Sequence, residues 1–377
     1  MPDQIREIVD SLPNVKDLRK VWQVVDGRMA AGDASFIGDL GVALAARFGE
    51  GDRADAVWQY RGVYEHLLRL LALEAGPENL TQVLRLFSAD PSAPQRKRER
   101  YVASLLAAGQ RPEDIAALAF GGGGSTAGAT DELRACLVHE LVLRDVAVRE
   151  LPRVAQWTAL PHWHHHPLAW LPLNLAEFEQ SGDLPSSLVR GGSGGLSAPE
   201  STEVTTDEAS ASISAAVQNW NEASNGQYEA RVFEFTKPVE PVAVPAALLA
   251  SGLECLAERQ RNDGFSVSAC LPATAWRMLF AAASTGGAYN HGCYGAYGRL
   301  YAWRSLAGLA GLTGPAGLGD AADGASAAEV VERVSQCSWY EFDADSPWFY
   351  QVAWDVGLAA VDPDRLRLAV LASTDTD

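Results

Sequence analysis

Apolar residues recur at helical spacing through the first 150 residues, and this pattern limits the possible folds more strongly than any other property of the sequence. The longest run covers residues 54–74. Its apolar positions lie on one helical face: Val57, Tyr60, Tyr64, Leu67, Leu68 and Leu71. A face this wide is buried against neighbouring helices. The sequence therefore predicts that the first part of the chain is a set of packed helices.

Residues that begin or end helices divide the same region into further segments. Asp33 can cap a helix whose apolar stripe ends at Gly49. Further helical patterns follow Pro112 and Thr130, and the connections between the segments are short. Short connections are typical of antiparallel neighbours. We predict a helical domain over residues 1–150, built as a bundle of antiparallel helix pairs.

The composition changes at residue 151, beyond which nine of the eleven tryptophans lie. Alternating apolar residues predict strands at residues 228–233 and 366–372. Ser326 and Glu329 form the capping-box pattern that begins a helix. The second half of the chain therefore combines helices with strands.

Residues 190–212 are rich in glycine and serine and show no periodic pattern, which predicts a flexible surface loop. This loop falls inside a mixed α+β domain with a small sheet, which we predict over residues 151–377. The predicted fold class is mainly α with an α+β C-terminal part.

The net charge of −18 at pH 7 restricts the classes of partner. Nonspecific nucleic-acid binding requires clustered cations, and a strongly acidic chain repels nucleic acid. We therefore predict no nucleic-acid partner. The longest uncharged window, residues 278–298, ends in glycine, tyrosine, asparagine and histidine, which argues against a membrane span or a membrane partner. The five cysteines are odd in number and lack CxxC spacing, which is typical of reduced thiols. We therefore expect a soluble cytoplasmic protein.

Residues 161–167 read PHWHHHP and contain four of the seven histidines. Proline restricts the residue before it to extended conformations, so His166 does not continue a helix. In an extended segment His162, His164 and His166 face the same side, whereas one helical turn pairs His162 with His165 or His166. Either geometry brings imidazoles together, and zinc or iron accepts such ligands when further donors complete the shell.

No standard spacing links a further donor to the histidines, and the candidates are Glu177, Glu179, His291, Cys293, Asp375 and Asp377. The last two lie in the closing TDTD, at the carboxyl end of the chain. Two aspartates at this spacing, placed at the end of a strand, can bind a divalent cation. The predicted metal ligands are His162, His164, His166, Asp375 and Asp377. The alternative is that the histidines bond to carbonyl groups and pack on tryptophan, and that the terminal aspartates are inert.

Residues 285–311 combine glycines and aromatic residues with two cations, Arg299 and Arg304. Glycine lets backbones pass closely, aromatic rings provide walls, and a guanidinium binds a carboxylate or phosphate. The alternative is close helix packing in which the arginines pair with internal acids. The residues predicted to bind a ligand are Trp163, Trp170, Tyr289, His291, Tyr294, Arg299 and Arg304.

Five stretches resemble an uncharacterised actinobacterial family of unknown function. They read HWHHHPLAWLPL, SNGQYEARVFEF, GGAYNHGCYGAYGRLYAWRSLAGL, SPWFYQVAWDVGL and LASTDTD. The resemblance extends from about residue 155 to the end of the sequence. It implies no activity, no cofactor and no catalytic residue.

Two functions follow from these patterns. In the first, the chain is a binding or interaction protein that holds a small molecule or a protein partner in a cleft of its C-terminal half, lined by aromatic residues and histidine. In the second, it is a metal-dependent enzyme of hydrolytic type, in which the histidines hold zinc or another divalent metal and an aspartate acts as ligand or base. The sequence favours the first because it contains no recognisable catalytic motif.

Overall fold

The computed structural model describes residues 2–49, 57–89, 96–121, 129–180, 198–257, 264–312, 325–349 and 354–376. The chain divides into two compact units, Met1–Trp163 and His164–Asp377. The predicted domain limits, 1–150 and 151–377, stay a prediction.

The first unit is helical throughout the part of it that the structure describes. Its α-helices are α1 (Pro2–Ser11), α2 (Arg19–Ala30), α3 (Ala34–Phe48), α4 (Val57–Leu73), α5 (Pro77–Ala89), α6 (Arg96–Gly109), α7 (Pro112–Ala119), α8 (Asp131–Val142) and α9 (Pro152–Thr158). Leu67 and Leu71 of α4 are fully buried, as the spacing predicts. Asp33 caps α3, because its carboxylate accepts a hydrogen bond from Phe36 N–H at 3.2 Å. The predicted helical N-terminal region is confirmed.

Thr130 is the N-cap of α8 and also bonds to α6. Its hydroxyl oxygen accepts a hydrogen bond from Leu133 N–H at 3.0 Å. The same hydroxyl donates to the Glu99 carboxylate at 2.6 Å. One short side chain therefore both starts α8 and joins it to a neighbouring helix.

Thr130→Ala is expected to lower the free energy of unfolding by about 1 to 2 kcal/mol, because the first turn of α8 loses its cap. Thr130→Ser keeps the hydroxyl and is expected to unfold close to the wild-type midpoint. Urea unfolding followed by circular dichroism measures both variants. Equal losses in the two variants would show that the hydroxyl bonds do not stabilise the fold.

The second unit contains a six-stranded sheet, in which every pair of neighbouring strands is antiparallel. Its strands are β1 (Ser201–Glu203), β2 (Gln227–Phe235), β3 (Phe265–Cys270), β4 (Ser338–Ala344), β5 (Trp354–Val361) and β6 (Arg367–Asp375). The strand order across the sheet is β1-β2-β6-β5-β4-β3. The two strands predicted from alternation correspond to β2 and β6, which pair with each other. The predicted mixed C-terminal part is confirmed.

Helices accompany this sheet in the described residues of the second unit. They are α10 (Asp207–Ile213), α11 (Gln218–Ala223), α12 (Val244–Ala250), α13 (Pro272–Thr285), α14 (Tyr294–Leu309) and α15 (Ala327–Gln336). The predicted capping box begins α15, where Ser326 N–H donates to the Glu329 carboxylate at 2.6 Å. No helix in the described ranges has both the length and the apolar composition that crossing a bilayer requires.

Glycines in α14 allow its close packing. A Cβ at Gly298 would lie 2.7 Å from the Ser284 Cβ of α13. A Cβ at Gly308 would lie 2.8 Å from the backbone nitrogen of Ile213 in α10. Both distances are shorter than real Cβ contacts, so only glycine permits these approaches. The glycine-rich sequence of this helix therefore serves packing between helices.

The prediction of a flexible loop at residues 190–212 is wrong for the second half of this range, which forms β1 and most of α10. Thr206 caps α10, because its hydroxyl accepts a hydrogen bond from Ala209 N–H at 3.1 Å. Ile213 at the end of this helix is fully buried. Serine and threonine are common both in loops and at helix caps. The composition of this segment therefore did not distinguish a short capped helix from a loop. Residues 190–197 lie outside the described residues.

Candidate functional site

Residues 286–293 form a turn between α13 and α14, which we call the Tyr289 loop. Gly286 and Gly292 have φ angles of +83° and +62°, which glycine adopts without strain. A Cβ at Gly286 would overlap the Asn290 side chain and the backbone nitrogen of Gly292. The two ends of the loop therefore approach each other more closely than other residues would allow.

Asp375, at the end of β6, holds the middle of this loop. Its carboxylate accepts a hydrogen bond from Ala288 N–H at 2.7 Å and another from Thr376 N–H at 3.0 Å. The residue is 1% exposed. A Cβ at Gly287 would overlap the carboxylate, so glycine is needed here as well. A buried acid of the sheet thus fixes the loop backbone.

A second set of bonds joins the loop to α11 and the turn that follows it. Asn290 donates from its side-chain amide to the Asn219 carbonyl at 3.0 Å. The Asn219 amide donates back to the Asn290 side-chain oxygen at 3.3 Å, and this oxygen also accepts from Gly292 N–H at 2.9 Å. Tyr289 N–H donates to the Ser224 hydroxyl at 3.1 Å. The loop backbone is therefore bonded on two sides.

Two predicted ligand-binding residues lie on this loop and face solvent. Tyr289 is 63% exposed, although its own backbone is bonded. His291 is also exposed. Tyr294, at the first position of α14, is half-buried. The structure thus brings Asp375 to the loop that carries Tyr289 and His291, where the acid bonds to the Ala288 amide and the two side chains are exposed.

Arg299 has internal partners and is a correction to the predicted ligand-binding set. Its side chain and that of Glu179 are both 0% exposed, and the two form an ion pair with Nε to Oε1 at 2.7 Å. Nη2 donates to the other carboxylate oxygen at 2.7 Å, and further bonds go to the carbonyls of Pro172 and Asn174. The alternative of an arginine paired with an internal acid is the one found.

The two predicted tryptophans also pack internally. Trp163 is 4% exposed in the first unit, where its ring stacks on His139 at 5.9 Å and meets Trp157 at 5.2 Å. Trp170 belongs to the second unit, where its ring N–H donates to the Ala325 carbonyl at 3.0 Å. Trp163 is therefore a correction, because its ring is buried in packing, whereas Trp170 is half-buried and its place in the ligand-binding set stays a prediction.

The histidine segment is one short turn of 3₁₀ helix at Pro161–His165, so the extended geometry is wrong and the helical alternative holds. His162 is exposed, and its Nε2 lies 4.0 Å from the Asp131 carboxylate. His164 is exposed as well. His166 is extended, as its proline predicts, and its Nδ1 accepts a hydrogen bond from Leu168 N–H at 3.2 Å.

The metal prediction is not supported by a preformed cluster. Across the described ranges, no group of three or more His, Cys, Asp or Glu side chains is placed to hold a metal ion. Asp375 uses its carboxylate on backbone amides, and Asp377 lies outside the described residues. The metal-dependent alternative, with zinc or another divalent cation, stays a prediction.

Arg304 differs from Arg299, although both lie on α14. Its guanidinium carbon lies 5.8 Å from the centre of the Tyr301 ring, and that ring is 6.0 Å from the Tyr297 ring. The side chain is half-buried, and its buried Nε has no hydrogen-bond partner in the described part of the chain. Burial lowers the pKa of this guanidinium. Arg304 is therefore a partly desolvated cation beside the Tyr301 ring.

Buried thiols are held in their protonated form. Burial raises the pKa of Cys136 and Cys255 well above the usual range. It also raises the pKa of Cys270 to about 12 and that of Cys337 to about 11. None of these four thiols is activated as a nucleophile at neutral pH.

The described residues define an α-rich protein with a six-stranded antiparallel sheet and a surface loop anchored to its last strand. The chain belongs to a family of unknown function, DUF6183, which matches residues 19–377. No curated protein matches the chain, and no solved structure does. The resemblance to a family of unknown function is confirmed, and membership assigns no role to any residue.

Proposed function

We propose that this chain is a binding protein that recognises a polypeptide partner through the Tyr289 loop. The observation that supports this most directly is a tyrosine ring that is 63% exposed on a backbone bonded to Asp375 and Ser224 through successive amides. Isolated exposed aromatic residues are common on protein surfaces and have no special meaning. Tyr289 differs from such residues because a buried carboxylate fixes the backbone of its loop.

Fixation of the loop favours binding for a physical reason. Ordering a mobile loop on association opposes binding, so a loop that is already ordered loses less entropy. Tyrosine also contributes a large contact area with few rotatable bonds, and its hydroxyl can bond to the partner. His291 adds a second ring on the same loop, with a nitrogen donor or acceptor at its edge. Together the two rings form a small preordered contact surface.

The proposal includes a cytoplasmic location and an actinobacterial source. The cysteines are free thiols, which suits a reducing compartment. The source follows from the resemblance alone. A small molecule in place of the polypeptide is the alternative ligand. We favour the polypeptide because Tyr289 and His291 are both exposed to solvent, whereas sites for small molecules are concave and bury most of the ligand.

The partner can be trapped at the loop by photocrosslinking in the source organism. A benzophenone amino acid placed at position 289 is expected to give a discrete adduct with one protein. The same amino acid at position 242 is the matched control, because Val242 is 71% exposed in the same unit but lies outside the loop. Excess wild-type chain should suppress the adduct, whereas excess Tyr289→Ala chain should suppress it poorly. The proposal fails if positions 289 and 242 give the same adducts, or if neither gives any.

A further inference from the structure

Helix α14 carries two arginines that are shielded from water, Arg299 completely and Arg304 partly, and they differ in their partners. Arg299 is paired with the buried carboxylate of Glu179. Arg304, five residues further along the same helix, has no acidic partner within ion-pair distance among the described residues. An aromatic group lies beside it instead: the Tyr301 ring centre is 5.8 Å from the guanidinium carbon, and the Tyr297 ring is 6.0 Å from that of Tyr301. Folding has therefore partly removed the Arg304 cation from water, and the described residues place no acidic group within ion-pair distance of it.

A desolvated cation without an acid is unfavourable for the folded chain. Charges that leave water are normally paired or bonded, because the protein interior does not replace their hydration. The Arg304 Nε is buried and has no bonding partner in the residues described. The side chain as a whole is half-buried, so part of it still faces solvent and can be reached by a small molecule.

We propose that Arg304 and Tyr301 form a binding site for a small oxyanion, a carboxylate or phosphate group. A planar guanidinium offers parallel N–H donors that match two oxygens of either group. The Tyr301 ring, 5.8 Å from the guanidinium carbon, holds the guanidinium by a cation–π contact, and the buried Tyr297 ring packs beside Tyr301. The site is independent of the Tyr289 loop and of any partner bound there.

The distance along α14 separates this site from the loop. Tyr294 begins the helix and Arg304 lies ten positions later, which corresponds to about 15 Å of helix rise. The single cleft predicted from sequence for Tyr289, His291, Tyr294 and Arg304 is thus divided into two places. One place holds the Tyr289 loop, and the other holds the Arg304 guanidinium beside the Tyr301 ring.

The test compares wild type with Arg304→Met, which removes the charge and keeps an unbranched side chain that adapts to irregular space. Arg277→Met is the matched control, because Arg277 is an exposed arginine of α13 and its loss changes the net charge equally. The probes are sodium phosphate and sodium acetate, with sodium chloride at equal ionic strength as the reference. Binding is measured by isothermal titration and stability by urea unfolding. Because phosphate stabilises many proteins through exclusion from their surface, the comparison between variants decides the result.

We expect wild type and Arg277→Met to bind phosphate or acetate, and Arg304→Met to bind about tenfold or more weakly, since charge-assisted hydrogen bonds are lost. In chloride, Arg304→Met should unfold at the same urea concentration as wild type or a higher one, because an unpaired cation has been removed. A structural arginine would give the opposite stability result. The proposal is overturned if Arg304→Met binds both anions as wild type does, if wild type binds neither, or if the variant is less stable in chloride.

Discussion

Glu179→Gln is expected to lower the free energy of unfolding by about 3 to 5 kcal/mol, the largest effect of any single change considered for this chain. The glutamine keeps the shape of the side chain but removes its charge. Arg299 would then be a buried cation without a counter-ion, at a position with 0% exposure. Urea unfolding followed by tryptophan fluorescence measures the loss.

The geometry of Glu179 explains the size of this effect. Its carboxylate accepts two hydrogen bonds from Arg299 and a third from the ring N–H of Trp303 at 2.9 Å. A fourth comes from Ala176 N–H at 2.9 Å. Four donors around one carboxylate satisfy a buried negative charge, and glutamine offers one acceptor oxygen in place of two. The amide NH₂ group of the new side chain would face donors.

Two controls separate burial from charge. The exposed pair of Arg365 and Glu240 has the same N to O distance of 2.7 Å, and Glu240→Gln is expected to change stability by less than about 1 kcal/mol. Replacing both buried partners, Arg299→Met with Glu179→Leu, should recover part of the loss, because no charge remains buried while the N–H groups of Trp303 and Ala176 lose their acceptor. If Glu179→Gln and Glu240→Gln cost the same, the buried ion pair does not stabilise the fold.

The helices of the first unit could be predicted because their signals are local. The apolar spacing of α4 and the cap at Asp33 each lie within a few turns of sequence, and both are present in the structure. The strand β5 was not predicted, because six of its eight residues are buried, so the chain does not alternate there. Strand β6 is buried at eight of its nine residues and was nevertheless predicted from the apolar positions Leu366, Leu368 and Val370, so burial of both faces weakens the pattern without always removing it.

The contacts of the candidate sites could not be predicted for a different reason. Glu179 and Arg299 are separated by 120 positions, and Asp375 and Ala288 by 87. No spacing within a segment links such pairs. Arg299 and Asp375 could therefore be identified in the sequence as candidate site residues, but the groups they bond to could not be predicted. Correlated substitution of the two positions among relatives is the signal that would have identified them.

The polar residues around the loop were missed for the same reason. Asn219, Ser224 and Asn290 look like ordinary turn residues in the sequence. Their role appears when the fold brings α11 and the Tyr289 loop together, where each amide or hydroxyl finds a backbone group. The predicted site residues are aromatic or charged, because such groups contact ligands directly. They do not include the small polar residues that hold the loop backbone in place.

The second large effect concerns Asp375, and it connects the fold with the proposed function. Asp375→Ala is expected to raise the hydrogen-exchange rate of the Ala288 amide by about 5- to 150-fold, because this amide loses a charged acceptor at a cost of about 1 to 3 kcal/mol. The exchange of amides near Val370, in the middle of β6, should change much less. Mass spectrometry or NMR of exchanging samples measures both regions.

Asp375→Asn is the matched control, because its side-chain oxygen can still accept the Ala288 hydrogen bond although the charge is lost. We expect the exchange rate of the Ala288 amide in Asp375→Asn to fall between those of wild type and Asp375→Ala, since bonds to neutral acceptors are weaker than bonds to charged ones.

In Asp375→Ala the photocrosslinked adduct from position 289 should also decrease, because a loop that has lost its anchor must be ordered again on binding. Unchanged exchange at Ala288 in Asp375→Ala would mean that the carboxylate does not hold the loop. Faster exchange at Ala288 with an unchanged adduct would mean that binding at position 289 does not depend on preordering.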